Sequence, residues 1–181
     1  MKVIIDTCSL LSLVRYYLPF DNEKILYDFI DLKISKGEII ILDKVLDECR
    51  YVAKGIIVKS LEYIDSKDLI IKTIDLLPNK RFFNLLDNNF INGAVRNTLS
   101  DLEFENRKNA FLESADAKLL LYCMQNREND IIIVSEETDS ENDNKAFKKL
   151  PAICKNLDLS FMTLPQLLKN NKEIDLEFNL K

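Results

Sequence analysis

The sequence predicts an α/β fold, a three-layer α/β/α sandwich around a mainly parallel sheet of about four to five strands. Short β-branched runs alternate with longer segments in which apolar residues recur at helical spacing. Only 3 glycines and 4 prolines occur, which favours long helices over a meander of short strands. With 47% hydrophobic residues the chain can form one substantial core, so we expect residues 1–181 to be a single domain.

The first part of the chain contains two strand signals, which are short apolar runs at residues 2–5 and 39–42. Its helix signals are segments with apolar residues at helical spacing, at residues 10–17, 20–36, 44–53 and 61–77. Gly37 is a stop signal for the second of these helices, and Asp43 is expected to cap the third. Pro78 is expected to end the fourth.

The second part begins with a mixed segment, in which we expect two or three shorter helices as a helical insert at about 78–113. Strand signals follow at residues 131–134 and 159–163. Helix signals lie at residues 114–124, 151–157 and 164–170. Strands that alternate with helices imply parallel pairing, with helices on both faces of the sheet.

The composition excludes several kinds of chemistry. The chain has no histidine, which removes imidazole bases, serine–histidine triads and mixed Cys/His metal sites. Its 4 cysteines include no CxxC pair, and we expect Cys8, Cys49 and Cys123 to be buried free thiols. Carboxylates are what remains for catalysis. The net charge of −5 argues against a protein that coats duplex DNA, but an acidic cluster can bind phosphate through cations.

Membrane insertion is not expected. The opening MKVIID reaches an acid after three apolar residues, and no later apolar run approaches the roughly 20 residues that a membrane-spanning helix needs. We therefore expect a soluble, cytoplasmic protein without membrane contacts.

Acidic residues follow two of the predicted strands. Asp6 ends the first strand, and Ser135, Glu136 and Glu137 follow the run at 131–134. The carboxyl ends of parallel strands lie at one edge of a sheet, where ligands bind. We therefore expect these acids to lie close together.

Two helical acids are expected to join them. Glu48 falls on the border of the apolar stripe of its helix, whereas Asp47 points nearly opposite and should be solvated. Asp116 lies in the first turn of a helix that is apolar nearly all round, where a carboxylate needs a partner. The helix N-terminus supplies only about 0.3 to 1 kcal/mol, so a divalent cation is the stronger candidate.

Each acid also has a structural interpretation. Asp6 could cap a helix, Glu48 could be a surface residue, and Asp116 could be an ordinary first-turn acid. Together, acids at strand ends and helix starts around one sheet edge favour a metal site. Oxygen ligands suit Mg²⁺ or Mn²⁺, and such a cation can activate water for attack on a phosphodiester.

Four segments resemble motifs of the PIN-domain nucleases in order and spacing, namely IIDTCSLL, VLDE, SADAKLLLYC and IIIVSEE. The resemblance covers most of the chain and implies a parallel-sheet nuclease dependent on Mg²⁺ or Mn²⁺. The VSEE segment, residues 151–154 and the closing LPQLL also resemble a longer, uncharacterised branch of that family. The resemblance to PIN-domain nucleases implies that the catalytic residues and metal ligands are Asp6, Glu48, Asp116 and Glu137. The family usually has aspartate at the last position, and Glu136, Asp139 and Asp143 are alternatives there. Supporting hydrogen bonds are expected from Thr7, Ser9 and Ser135.

The resemblance implies a metal-dependent endoribonuclease that cleaves single-stranded or structured RNA. A VapC-like toxin restrained by an antitoxin protein is one form of it, and a homodimer is expected. Two alternatives stay open: a structure-selective DNA nuclease, and a degenerate PIN scaffold that binds RNA or a protein partner, since Glu137 replaces aspartate. A phosphatase of the haloacid-dehalogenase type is disfavoured, because Cys8 stands where its second acid is needed.

Basic and aromatic residues mingle in the predicted insert. They are Lys80, Arg81, Arg96, Arg107 and Lys108, with Phe82, Phe83 and Phe90. RNA contact through charge and stacking is one interpretation. The other is a helical segment whose rings lie in the core and whose charges are solvated.

Overall fold

Five parallel strands form the centre of the molecule in the computed structural model, which describes residues 1–138 and 145–171. They are β1 (Val3–Ile5), β2 (Ile39–Leu42), β3 (Ile70–Ile71), β4 (Ile132–Val134) and β5 (Phe161–Met162). Their order is β3-β2-β1-β4-β5, and each neighbouring pair is parallel. The predicted α/β class is confirmed.

Helices flank this sheet and complete the predicted three-layer α/β/α sandwich. They are α1 (Thr7–Ser12), α2 (Ile25–Ser35), α3 (Asp43–Tyr51), α4 (Ile56–Ser60), α5 (Lys80–Leu85), α6 (Gly93–Arg96), α7 (Asp101–Leu112), α8 (Ala115–Gln125), α9 (Leu150–Leu157) and α10 (Leu164–Asn170). Single π-helical turns extend α1 and α5, at Leu13–Tyr17 and Leu86–Phe90. Among the helices of residues 1–138 and 145–171, none is long and apolar enough to cross a membrane.

The two central strands are apolar on both faces because helices cover both. Every residue of β1 and β2 is buried. Burial of an isoleucine such as Ile4 or Ile5 contributes about 1.5 to 3 kcal/mol. The register pairs Ile5 with Val134, so β1 and β4 end side by side. The residues that follow these strands therefore meet at one edge of the sheet.

The predicted helix over 61–77 is wrong. This segment contains two 3₁₀ turns, Glu62–Asp65 and Lys67–Leu69, and then the edge strand β3. Ile70 and Ile71 pair with β2, and the β-branched pair is compatible with an extended backbone. Pairing with a distant strand overrides the local helical spacing.

Two predicted helix starts also differ. The second helix begins at Ile25 rather than near residue 20, and the Asp21 carboxylate accepts hydrogen bonds from the N–H groups of Leu26 and Tyr27 at 3.1 and 2.8 Å. Asp43 does not cap α3 but is its first residue. Its carboxylate instead accepts a 2.6 Å hydrogen bond from the Thr73 hydroxyl, which fixes the chain beyond β3 against α3.

The predicted helical segment contains α5, α6 and α7, which confirms the expected shorter helices. Phe82 and Phe90 are fully buried, with ring centroids 5.7 Å apart. For these two rings the core interpretation is confirmed. Phe83 is 36% exposed, and the Lys108 ammonium lies 5.9 Å from its ring centroid.

Candidate active site

Asp6 lies between β1 and α1, at the carboxyl edge of the sheet, and is only 5% exposed. Its Oδ1 accepts a hydrogen bond from the Thr7 N–H at 2.7 Å, so Asp6 does cap α1. Its Oδ2 accepts hydrogen bonds from the Ser135 hydroxyl at 2.9 Å and the Cys8 thiol at 2.8 Å. Donors that are far apart in the sequence fix this carboxylate, because β1 and β4 end side by side.

Glu48 reaches the same edge from α3. The Thr7 hydroxyl donates a 2.7 Å hydrogen bond to its Oε2, and the Ala115 N–H also donates to this carboxylate. Burial raises the pKa of Glu48, the charge of Asp6 raises it further, and the two hydrogen bonds act in the opposite direction. Asp47 is exposed beside Arg50, as predicted.

Asp116 lies in the first turn of α8, near the other acids. Burial is the largest cause that raises the pKa of its carboxyl, followed by the charges of Asp6, Glu137 and Glu48, and together they raise it from 3.8 to about 8. Lys145 opposes this shift. Within the described residues, no hydrogen-bond donor or ion-pair partner lies in contact with the Asp116 carboxylate. Residues 1–138 and 145–171 therefore supply no partner of the kind that such a partly buried acid needs.

The two glutamates after β4 have different environments. Glu137 Oε2 accepts a 2.9 Å hydrogen bond from the Leu150 N–H, at the start of α9, and its charge acts on Asp116. Glu136 Oε1 instead accepts a 2.6 Å hydrogen bond from the Leu164 N–H, at the start of α10. The alternatives Asp139 and Asp143 lie outside the described residues.

The supporting residues are arranged partly as predicted. Thr7 orients Glu48, and Ser135 donates to Asp6 while accepting a 3.2 Å hydrogen bond from the Glu137 N–H. The prediction for Ser9 is wrong, since its hydroxyl is fully buried and has no hydrogen-bond partner among the described residues.

Cys8 is a residue of the site that the sequence analysis missed. It was expected to be a buried thiol, as Cys49 and Cys123 are, but it is partly exposed. Its Sγ donates to Asp6, lies 3.1 Å from the Ser135 hydroxyl and accepts from the Glu136 N–H at 3.1 Å. Burial and the charge of Asp6 raise the pKa of this thiol to about 12, which keeps it a neutral donor. Its position two residues after Asp6 places it near the site, but the local sequence does not identify its partners Ser135 and Glu136.

Comparison with family models matches residues 3–174 to the family described as "Domain of unknown function (DUF4411)". The chain belongs to the DUF4411 family. Comparison with curated proteins and comparison with solved structures each gave no match.

The donor atoms of this DUF4411 site suit a hard divalent cation, although the side chains are not arranged as a closed metal cage. Among residues 1–138 and 145–171, no three acidic or thiol side chains are grouped closely enough to hold one metal ion. Mg²⁺ commonly keeps several waters and uses only one or two carboxylates directly. The oxygens of Asp116 have no partner among the described residues and lie beside three other acids, which fits that kind of water-mediated site.

A groove of about 300 Å³ opens beside Asp116 and Glu137 in the DUF4411 chain. Its other walls are mainly basic and aromatic, from Arg107, Phe111, Lys145, Phe147, Lys148 and Lys149. Of these residues only Arg107 was named from the sequence as a possible RNA contact, because residues 136–149 are polar and show no regular spacing. The groove places positive charge next to the acids.

Proposed function

We propose that this DUF4411 chain is a metal-dependent nuclease that hydrolyses the phosphodiester bonds of RNA, with Mg²⁺ or Mn²⁺ as its cofactor. The Asp116 carboxylate carries this proposal. It is partly buried, has no donor among the described residues, and is surrounded by the negative charges of other acids. A carboxyl with a strongly raised pKa in a cleft is a candidate functional group.

Burial and the charges of neighbouring acids raise the pKa of Asp116, and a divalent cation would offset both effects. The residues that would hold it are Asp6, Glu48, Asp116 and Glu137. When bound, the cation supplies a Lewis acid that activates water and neutralises phosphate charge. Without histidine in the chain, these carboxylates are the groups available for such a role.

The neighbouring side chains hold the carboxylates in place. Thr7 links Asp6 to Glu48, since its N–H donates to one and its hydroxyl to the other. Ser135 and Cys8 both donate to Asp6 Oδ2, which leaves Oδ1 bound by the Thr7 N–H. Outer contacts of this kind orient metal ligands and commonly change metal affinity or activity by about 10- to 100-fold.

The basic groove beside the acids supports a polyanionic substrate, and the resemblance to PIN-domain nucleases favours RNA. The same resemblance motivates two further expectations, an antitoxin partner and a homodimer, and the lack of a long apolar run in the sequence motivates a third, a cytoplasmic location. The nuclease proposal does not depend on them.

The test is cleavage by the purified protein of single-stranded RNA, structured RNA, single-stranded DNA and flap DNA, with Mn²⁺, with Mg²⁺ and with EDTA. We expect RNA cleavage that EDTA abolishes and that falls at least about 100-fold in Asp6→Asn and Asp116→Asn. Asp47→Asn is the matched control, because Asp47 is an exposed acid on the helix that carries Glu48.

Three other outcomes would contradict the proposal. Cleavage confined to DNA would indicate the structure-selective DNA nuclease. Cleavage that persists in Asp116→Asn would remove this site from the reaction. No cleavage, together with no Mn²⁺ binding by calorimetry, would favour a scaffold that binds RNA or a protein partner.

A further inference from the structure

The groove beside Asp116 and Glu137 concentrates positive charge on an acidic protein. The chain has a net charge of −5, yet the groove is lined by Arg107 of α7 and by lysines at 145, 148 and 149. Arg107 and Lys148 are exposed. Local positive potential of this kind attracts phosphate groups whatever the overall charge of the protein.

An aromatic column backs the groove. The rings of Phe111 and Phe147 are stacked, with centroids 4.7 Å apart and planes at 30°. Phe104 lies behind Phe147 at 6.0 Å, and the Arg96 guanidinium covers Phe104 at 4.4 Å from its centroid. Phe147 is buried, whereas Phe111 is partly exposed and lines the groove. The supported ring of Phe111 is a surface on which a nucleic-acid base could stack.

Backbone hydrogen bonds hold the basic wall in place. The Lys148 N–H donates to the Phe90 carbonyl at 2.7 Å, and the Asn92 N–H donates to the Ala146 carbonyl at 2.8 Å. Phe147 forms an antiparallel bridge with Ile91 between these bonds. The Lys148 ammonium also donates to the Asn89 carbonyl at 2.9 Å. These contacts fix the backbone of residues 146–148, and with it the Phe147 ring on which Phe111 stacks.

We propose that this groove binds one nucleotide of a single-stranded nucleic acid, with its base against Phe111 and its phosphate at Arg107 and Lys148. The proposal rests on the nuclease function, because the groove opens onto Asp116 and Glu137 and would deliver the adjoining phosphodiester to them. Single strands fit because a base must leave its own stack to reach Phe111. A groove of about 300 Å³ takes a nucleotide rather than a double helix.

The test measures binding in EDTA, by fluorescence anisotropy of labelled single-stranded RNA, single-stranded DNA and a duplex of the same sequence. Wild type should bind both single strands and bind the duplex at least about tenfold more weakly. Arg107→Gln/Lys148→Gln should weaken single-strand binding at least about tenfold and reduce its dependence on salt. The control Lys36→Gln/Lys155→Gln also removes two positive charges, from exposed lysines that do not line the groove, and should change affinity less than twofold.

Phe111 is tested separately from charge. Phe111→Leu should lose about tenfold in single-strand affinity, and Phe111→Tyr should retain it, because tyrosine keeps the ring. The melting temperature of Phe111→Tyr is measured as a control, and a value in the wild-type range shows that this variant is folded. Equal losses of single-strand affinity in Phe111→Leu and Phe111→Tyr would then contradict a stacking role for the ring. Three results would contradict binding in the groove. They are wild-type affinity in Arg107→Gln/Lys148→Gln, duplex binding as tight as single-strand binding, and competition by polyglutamate equal to that by unlabelled single-stranded nucleic acid.

The groove proposal and the nuclease proposal can be contradicted independently, because binding measured in EDTA does not require catalysis. Groove-dependent binding without cleavage of any substrate would support the groove and contradict the nuclease. Metal-dependent cleavage with full activity and full affinity in the groove variants would support the nuclease and contradict the groove.

Discussion

Asp116 is partly buried beside three other acids, so ionisation of its carboxyl destabilises the folded protein and the free energy of unfolding depends on pH. Its pKa in the folded protein is about 8, against an ordinary value of 3.8. Between these pH values the folded chain holds a proton that the unfolded chain releases, so the free energy of unfolding falls as pH rises. This loss of stability is absent below about pH 4 and complete above about pH 8.

Replacement of Asp116 by asparagine should therefore stabilise the metal-free protein at alkaline pH. In EDTA at pH 8.5, Asp116→Asn should raise the free energy of unfolding by on the order of 2 kcal/mol, measured by urea titration. At pH 4.5 the difference should be much smaller. Asp47→Asn is the control, and its difference from wild type should not grow with pH. Parallel pH profiles for Asp116→Asn and wild type would contradict this account.

The residues of the site were accessible from the sequence to different degrees. Asp6 and Glu137 follow apolar runs, and the face of α3 that carries Glu48 follows from helical periodicity, so their meeting at one edge could be predicted. Cys8 could not be assigned, because its contacts with Ser135 and Glu136 lie more than a hundred residues away in the chain. Local patterns carry no information about such contacts.

The turn between α3 and α4 lies within a few residues of Glu48. Ala53, Lys54 and Gly55 all have positive φ, at 49°, 60° and 71°. A Cβ atom on Gly55 would lie 2.7 Å from the Arg50 carbonyl oxygen, a backbone atom that cannot move alone. This position therefore requires glycine for both its conformation and its close contact.

Gly55→Ala should reduce the free energy of unfolding by about 2 to 4 kcal/mol, from left-handed strain and the contact with Arg50. Gly37→Ala separates the two causes, because Gly37 has φ of 66° and open space around its Cβ position. Gly37→Ala should reduce the free energy of unfolding by about 1 kcal/mol. Gly93→Ala, with neither feature, should change stability by less than about 1 kcal/mol. Equal losses at Gly55 and Gly37 in urea titrations would show that the contact has no effect.

At the level of elements, strands with long apolar runs were predictable and the short edge strand was not. β2 is a run of four apolar residues that is buried on both faces. β3 has two residues, and its neighbours follow a helical spacing, so only its pairing with Ile41 and Leu42 makes it a strand. A dipeptide with a distant partner gives no periodic signal of its own.

For the whole molecule, the proposed function predicts that cation binding at the acidic edge is coupled to folding. A cation that binds the folded chain but not the unfolded chain adds about 2.7 kcal/mol at a concentration of 100 times its Kd. Mn²⁺ should therefore raise the melting temperature of wild type, and more at pH 8 than at pH 6, because protons compete for Asp116 at the lower pH. The measurement is differential scanning calorimetry with and without Mn²⁺.

The double variant Asp6→Asn/Asp116→Asn should lose most of this increase, whereas Asp47→Asn should keep it. An equal increase in the double variant would mean that Mn²⁺ acts elsewhere on the acidic surface.

The central position of β1 also decides how the molecule can be held in an experiment. The chain enters this strand at Val3, and Asp6 follows its last residue, so the first residues and the acids lie at opposite ends of a strand about 10 Å long. An affinity tag or a surface linker attached at Met1 would leave the sheet on the side away from Asp6. Immobilised in that orientation, the protein would present its acidic edge and the neighbouring groove to the solution, ready for oligonucleotides passed over it.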